Sequence, residues 1–188
     1  EGDVTGVLDS IAARQPDSDT FRLWEVAGTA HADAHLLGPI ADSADCGVPI
    51  NDGPLHLVAK AGFHHLVEWV RTGEAPPEAP LLDVTDDEPP ALVRDPDGIA
   101  TGGVRTPPVD TPVDVLSGEP GPSDDLFCLL LGSTTPLPDG RLAELYPSRA
   151  GYESDYDEQV DVAVDRGVVL DADREALAGY ARPDRVAG

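Results

Sequence analysis

The sequence predicts an α/β fold, and three observations carry that reading. Residues 21–27 bear apolar side chains on both sides of an extended chain, as a strand covered on both faces does. Residues 53–72 repeat apolar positions at three- and four-residue spacings, the pattern of an amphipathic helix. From residue 81 to 140, Pro and Gly recur every few positions and the apolar runs are short, which reads as strands joined by turns.

Taken in order, the chain opens on Glu1-Gly2-Asp3, followed by a short helix over 4–14 and a polar turn over 15–19. In the strand 21–27, Phe21, Leu23, Glu25 and Ala27 share one face and Arg22, Trp24 and Val26 the other. Gly28 ends it, and Thr29-Ala30-His31-Ala32-Asp33 follows. Residues 46–51 form a turn into the long helix, with Asn51 or Asp52 as its N-cap. Pro54 falls near the first turn, where a missing N–H does no harm. The apolar stripe of this helix is Leu55, Val58, Ala59, Gly62, Leu66 and Val70, and Gly73 with the stiff connector 76–80 ends it. Residues 91–93, 113–116 and 126–131 are the expected short strands. Two short helices close the chain, one over 157–166 with Val160, Val162 and Val164, the other over 171–181 with an Asp suited to an N-cap.

Composition narrows the function classes. Of 188 residues, 40% are hydrophobic and 26% charged, which is globular composition. The net charge is −24, from 36 acidic against 12 basic residues, and Lys60 is the single lysine. Such a surface repels itself unless salt screens it: the Debye length falls from roughly 30 Å at 0.01 M to about 3 Å at 1 M. The acids are spread along the chain and not gathered in a tail, so they read as adaptation to multimolar salt more than as a site for cations or a basic partner. Nucleic acid is excluded as a partner, because phosphate binding needs Lys and Arg. No apolar run approaches the roughly 18 residues of a bilayer span, and the first residues lack the basic start and apolar block of a signal peptide. The chain contains no methionine, so the sequence reads as part of a longer polypeptide. Cys46 and Cys128 form no CxxC metal pair; each is a buried thiol, or the two make one disulfide.

The best candidate for chemistry is His31. A general base must be exposed at the end of a rigid element, and the loop leaving a strand's C-terminal edge provides that place in open α/β sheets. The plainer alternative is a loop histidine bonded to the backbone. Glu1-Gly2-Asp3 reads by default as solvated surface, but it precedes the His31 strand, where an acid that orients the imidazole is often found. No G-x-S-x-G nucleophile elbow occurs; Gly132-Ser133 and Ser117-Gly118 each lack the flanking glycine. A competing chemistry is a metal site on His31, Asp33 and His35, which alternate at two-residue spacing, with His64-His65 as a further source of ligands. In Gly102-Gly103-Val104-Arg105-Thr106-Pro107, the arginine is expected to pair with an acid of the protein before it meets a substrate carboxylate.

Longer strings carry a family resemblance. Ala13-Arg14-Gln15-Pro16-Asp17-Ser18-Asp19, the run from Phe21-Arg22-Leu23-Trp24 through His31-Ala32-Asp33, Cys46-Gly47, Pro49-Ile50-Asn51 and the helix bearing Trp69 resemble the alpha/beta hydrolase domain family of esterase-like proteins. So do Gly102 to Pro107 with Val109-Asp110, Leu131-Gly132-Ser133-Thr134 and Leu145-Tyr146-Pro147-Ser148. The resemblance implies a serine hydrolase whose triad runs Ser, acid, His along the chain. Its histidine matches His31, its acid matches Asp3 better than Glu1, and its serine elbow belongs upstream of residue 1. On this reading the chain is the C-terminal part of an α/β-hydrolase domain: 1–75 form the end of the core sheet and the following helix, and 76–188 a family-specific extension. Its partners are a small-molecule ester and the upstream half, with no cofactor. The rival class is a non-catalytic, salt-adapted accessory module.

Overall fold

The structure, a computed structural model, describes residues 1–6 and 8–187. In chain order the α-helices are α1 (Gly2–Thr5), α2 (Ala34–Leu37), α3 (Leu55–Thr72), α4 (Pro107–Asp110), α5 (Asp139–Leu145), α6 (Arg149–Asp165) and α7 (Arg174–Ala178). The strands are β1 (Asp114–Ser117) and β2 (Ser133–Pro136), paired antiparallel with Asp114 opposite Pro136 and Ser117 opposite Ser133. Helices with a small sheet are consistent with part of an α/β fold.

The segment 21–27 is extended but does not join a sheet. Val26 makes a single parallel bridge to Val104, held by Ala27 N–H to Val104 O (2.9 Å) and Val104 N–H to Glu25 O (2.7 Å). Elsewhere its neighbours include Pro76 and Pro77, which have no N–H to continue a ladder. Their carbonyls instead accept from the side chains of Arg22 and Trp24. Residues 81–103 form a small meander of isolated antiparallel bridges, Leu82 to Gly102, Val84 to Leu92 and Arg94 to Ala100.

Four sequence expectations are corrected. The helix over 4–14 is replaced by α1 and a 3-10 turn at Ser10–Ala13, separated by Asp9 in a left-handed conformation; Val7 lies outside the described residues. The expected strand 126–131 is a 3-10 turn over Leu126–Leu130, started by the Asp125 carboxylate accepting from Phe127 N–H (2.9 Å). The helix expected over 157–166 begins at Arg149, where Ser148 caps it through Gly151 N–H; Tyr152, Tyr156, Val160 and Ala163 form its buried stripe. The helix expected over 171–181 divides into a 3-10 turn at Asp171–Asp173 and the short α7.

Helix α3 begins at Leu55, later than the predicted residue 53, and stops where predicted: Gly73 has φ 80° and donates to Trp69 O. Its buried face differs from the predicted stripe. Leu57, Val58 and Ala61 are buried, whereas Phe63, Leu66, Val67 and Val70 are exposed. The core covers only the first turns of the helix, and the apolar positions beyond them stay exposed.

Three apolar clusters hold the fold, and each draws on residues from both sides of the connector at 76–80. The largest packs Leu57 and Val58 of α3 against Tyr152, Tyr156 and Val160 of α6. A second joins Val4 and Ala27 to Leu82, Ile99 and Val109. The third surrounds the disulfide Cys46–Cys128, which spans 82 residues and answers the open question about the two cysteines. Among the described residues no helix is long and apolar enough to cross a membrane.

Candidate active site

The turn that carries His31 is fixed from several directions. Gly28 has φ 68°, and a Cβ there would lie 2.6 Å from Val109 Cγ2, so both backbone and space demand glycine. Thr29 Oγ1 donates back to Val26 O (2.9 Å). Asn51, expected as a helix cap, is instead a fully buried brace: its Nδ2 donates to Gly28 O and to Ser117 O, both at 3.0 Å. The N-cap position of α3 belongs to Pro54.

Glu1 is the largest correction at the site. Expected as solvated surface, its side chain has no exposed area. Oε1 accepts from Gly28 N–H (2.5 Å), and Oε2 accepts from Gly118 N–H (3.0 Å) and Arg94 Nη2 (3.1 Å). One carboxylate thereby ties the start of the chain to the His31 turn and to the end of β1. No local sequence signal marks this role, because its partners are distant in sequence.

With Glu1 anchored, the first turn of α1 brings Asp3 beside His31. Nδ1 of His31 lies 3.1 Å from Asp3 Oδ2 and 3.2 Å from Oδ1. An ionised carboxylate only accepts, so Nδ1 carries the hydrogen and Nε2 is left as the basic nitrogen. The imidazole is about half-exposed (47%) and so is accessible to a reacting group.

The other candidates are brought to different ends. Asp33 is buried and its Oδ1 accepts from Leu36 N–H (2.8 Å), capping α2. His35 stacks on His56, with centroids 3.5 Å apart and planes within 6°. His65 Nε2 lies 2.7 Å from Gly167 O. The alternating His31, Asp33 and His35 therefore turn to separate partners. Among the described residues no three His, Cys, Asp or Glu side chains converge to hold a metal ion. Burial, then the neighbouring His35, holds His56 below the usual imidazole range. Arg105 pairs with Asp110 at 2.5 Å, the structural role expected for it. Ser117 is buried against Glu1 and Arg94, and Ser133 donates to Glu119 O.

A feature that the sequence did not disclose is an open trough of about 460 Å³ between α2 and α3, with His31 in its wall. Ala32, Leu36, Leu55, Ala59 and Phe63 provide its apolar lining.

Residues 1–179 match the model of a family described as alpha/beta hydrolase domain. The chain belongs to the alpha/beta hydrolase domain family, and the match implies a hydrolase-type fold. The comparisons with curated proteins and with solved structures give no match.

Proposed function

We propose that this chain supplies the histidine and the acid of a serine hydrolase acting on carboxylic esters, with the nucleophilic serine upstream of residue 1. The observation that carries the reading is the 3.1 Å contact between Asp3 and His31, in a member of this family and beside an apolar trough. In the proposed reaction, His31 Nε2 takes the serine Oγ proton as oxygen attacks the ester carbonyl. The imidazolium, stabilised by Asp3, returns that proton to the departing alcohol oxygen as the tetrahedral intermediate collapses to an acyl-enzyme. Water then repeats the sequence, giving its proton to Nε2 while its oxygen releases the acid and regenerates serine.

Two observations support an upstream half. The elbow motif does not occur in this sequence, and Leu66, Val67 and Val70 leave one side of α3 apolar and exposed, a surface suited to being covered. The test is hydrolysis of neutral p-nitrophenyl esters by a polypeptide that joins the upstream serine-bearing segment to this chain. Activity is expected there, with a loss of at least about 10⁴-fold on His31→Ala, while the present chain alone shows only the background of free imidazole. Equal activity with and without His31 overturns the assignment.

A further inference from the structure

A short run of backbone joins the disulfide Cys46–Cys128 to the candidate base. Cys128 belongs to the 3-10 turn Leu126–Leu130. At the end of that turn Leu130 O accepts from the N–H of Ala32, the residue after His31 (3.0 Å). The next carbonyl, Leu131 O, accepts from Asn51 N–H (3.0 Å), and Asn51 O accepts from Ala34 N–H (2.8 Å). Gly132 packs on the residue before the histidine: a Cβ on it would lie 2.7 Å from Ala30 Cβ. Residues 130–132 therefore hold the backbone on both sides of His31.

The apolar packing behind that run is thin. The cluster around the disulfide has four buried residues, and two of them are the half-cystines themselves. Helix α2 and the 3-10 turn after it, Gly38–Ser43, bury no residue, and the turn Leu126–Leu130 buries only Cys128. The clusters that carry α3, α6 and the meander share no residue with this one. Breaking the S–S bond thus loosens one corner of the fold and leaves its main core in place.

We infer that the Cys46–Cys128 disulfide positions His31, and that a dithiol reductant, by opening the bond, releases the His31 turn and lowers the activity of the site. The effect on activity rests on the hydrolase reading; the effect on the ring does not. In the exchange, one thiolate of the reductant attacks a protein sulfur and its second thiolate resolves the mixed disulfide. Two electrons and two protons pass to Cys46 and Cys128, which become thiols, and the reductant leaves as its own cyclic disulfide. Both half-cystines are buried, so the attack takes place as the thin cluster opens, without unfolding of the main core.

The probe is dithiothreitol, added to this chain in concentrated KCl below its melting temperature, with a Cys46→Ala, Cys128→Ala double variant beside it. In both, the His31 ring nitrogens are expected to move from one dominant tautomer to a mixture. The Ala32 amide proton is expected to shift upfield as its bond to Leu130 O is lost, while the ring signals of Tyr152 and Tyr156 stay in place. Reoxidation of the parent restores the first state. Val160→Ala, in the main core, also lowers Tm but is expected to leave His31 unchanged, which separates positioning from a general loss of stability. In a polypeptide carrying the serine, reduction is expected to lower kcat reversibly by at least about tenfold, and to do nothing further to the double variant. The inference is overturned if the His31 and Ala32 signals are the same in both redox states, or if Tyr152 and Tyr156 lose theirs along with His31. It is also overturned if Val160→Ala moves the ring as much, or if the bond yields to dithiothreitol only in denaturant. The hydrolase reading fails separately: redox-dependent His31 signals in a serine-bearing polypeptide whose hydrolysis does not need His31 sink that reading and leave the positioning. Conversely, His31-dependent hydrolysis that is equally fast before and after reduction sinks the present inference alone.

Discussion

The carboxylate of Asp3 meets Nδ1 of His31 at 3.1 Å, across 28 residues of sequence. The contact depends on two neighbouring anchors: Glu1 bonded to Gly28 N–H, and Asn51 bonded to Gly28 O. An accepting carboxylate fixes the Nδ1–H tautomer and so presents Nε2 as the base.

Asp3→Asn is expected to remove that tautomer preference, since an amide presents either a donor or an acceptor to the ring. The ¹⁵N shifts of His31 report it directly: a mixed tautomer in the variant against one dominant form in the parent at neutral pH. In a polypeptide carrying the serine, the same change is expected to lower kcat by about 10⁴-fold. Unchanged ring nitrogen shifts would show that Asp3 does not set the ring.

The Glu1 carboxylate is wholly buried and its cationic partner, Arg94, is 21% exposed. Removing the arginine strands a buried charge, whose loss of pairing costs more than the pair contributes. Arg94→Met is therefore expected to lower unfolding free energy by about 3 kcal/mol. Adding Glu1→Gln should restore part of it, because the amide no longer demands a counter-charge. Urea midpoints of the two variants decide this; a loss below about 0.5 kcal/mol in Arg94→Met would mean that solvent already screens Glu1.

Parts of this site were legible from sequence because their causes are local. Gly28 needs a left-handed turn after an extended run, which places His31 just beyond its end, and Gly73 stops α3 for the same conformational reason. Other parts depend on distant partners. Glu1 looks like any terminal acid until Arg94 and Gly118 are brought to it, 93 and 117 residues away. The run 21–27 has strand composition, but strand status requires a neighbour with free N–H groups, and the prolines at 76 and 77 offer none. In α6 the period was carried by Tyr152 and Tyr156 as well as by aliphatics. Reading only valines placed the helix start eight residues too late, at 157 in place of Arg149. The trough could not be read at all, since it lies between two helices whose packing no periodicity encodes.

The acidity has a direct consequence for stability. With 36 acidic and 12 basic residues, folding gathers like charges that the unfolded chain keeps further apart. Raising KCl from about 0.1 M to 2 M shortens the screening length from about 10 Å to below 3 Å, and Tm is expected to rise steeply over that range. Several ion pairs, such as Arg141 with Asp97, are weakened by the same salt, so the net direction tests which effect is larger. A flat or falling Tm would assign the acidity to something other than salt tolerance.

A last prediction concerns the stacked imidazoles of His35 and His56. Their planes lie 3.5 Å apart at the centroids, a separation that suits neutral rings and opposes two imidazolium charges. The groups around His56 include Asp33 and Asp173, which favour its protonation, and Lys60 and His35, which oppose it; Tyr180 lies further off, at 6.2 Å. Burial is the largest influence, and it holds the folded pKa below the free value of 6.5. As pH falls, the unfolded chain therefore takes up this proton first. The stabilising contribution is present in full above about pH 6.5 and is lost as pH drops through the folded value. Unfolding midpoints measured between pH 7 and 5 are expected to fall for the parent, and to fall less for His56→Gln, which cannot titrate. Equal slopes for the two proteins would place the acid sensitivity in other groups and leave the stacked pair without a part in it.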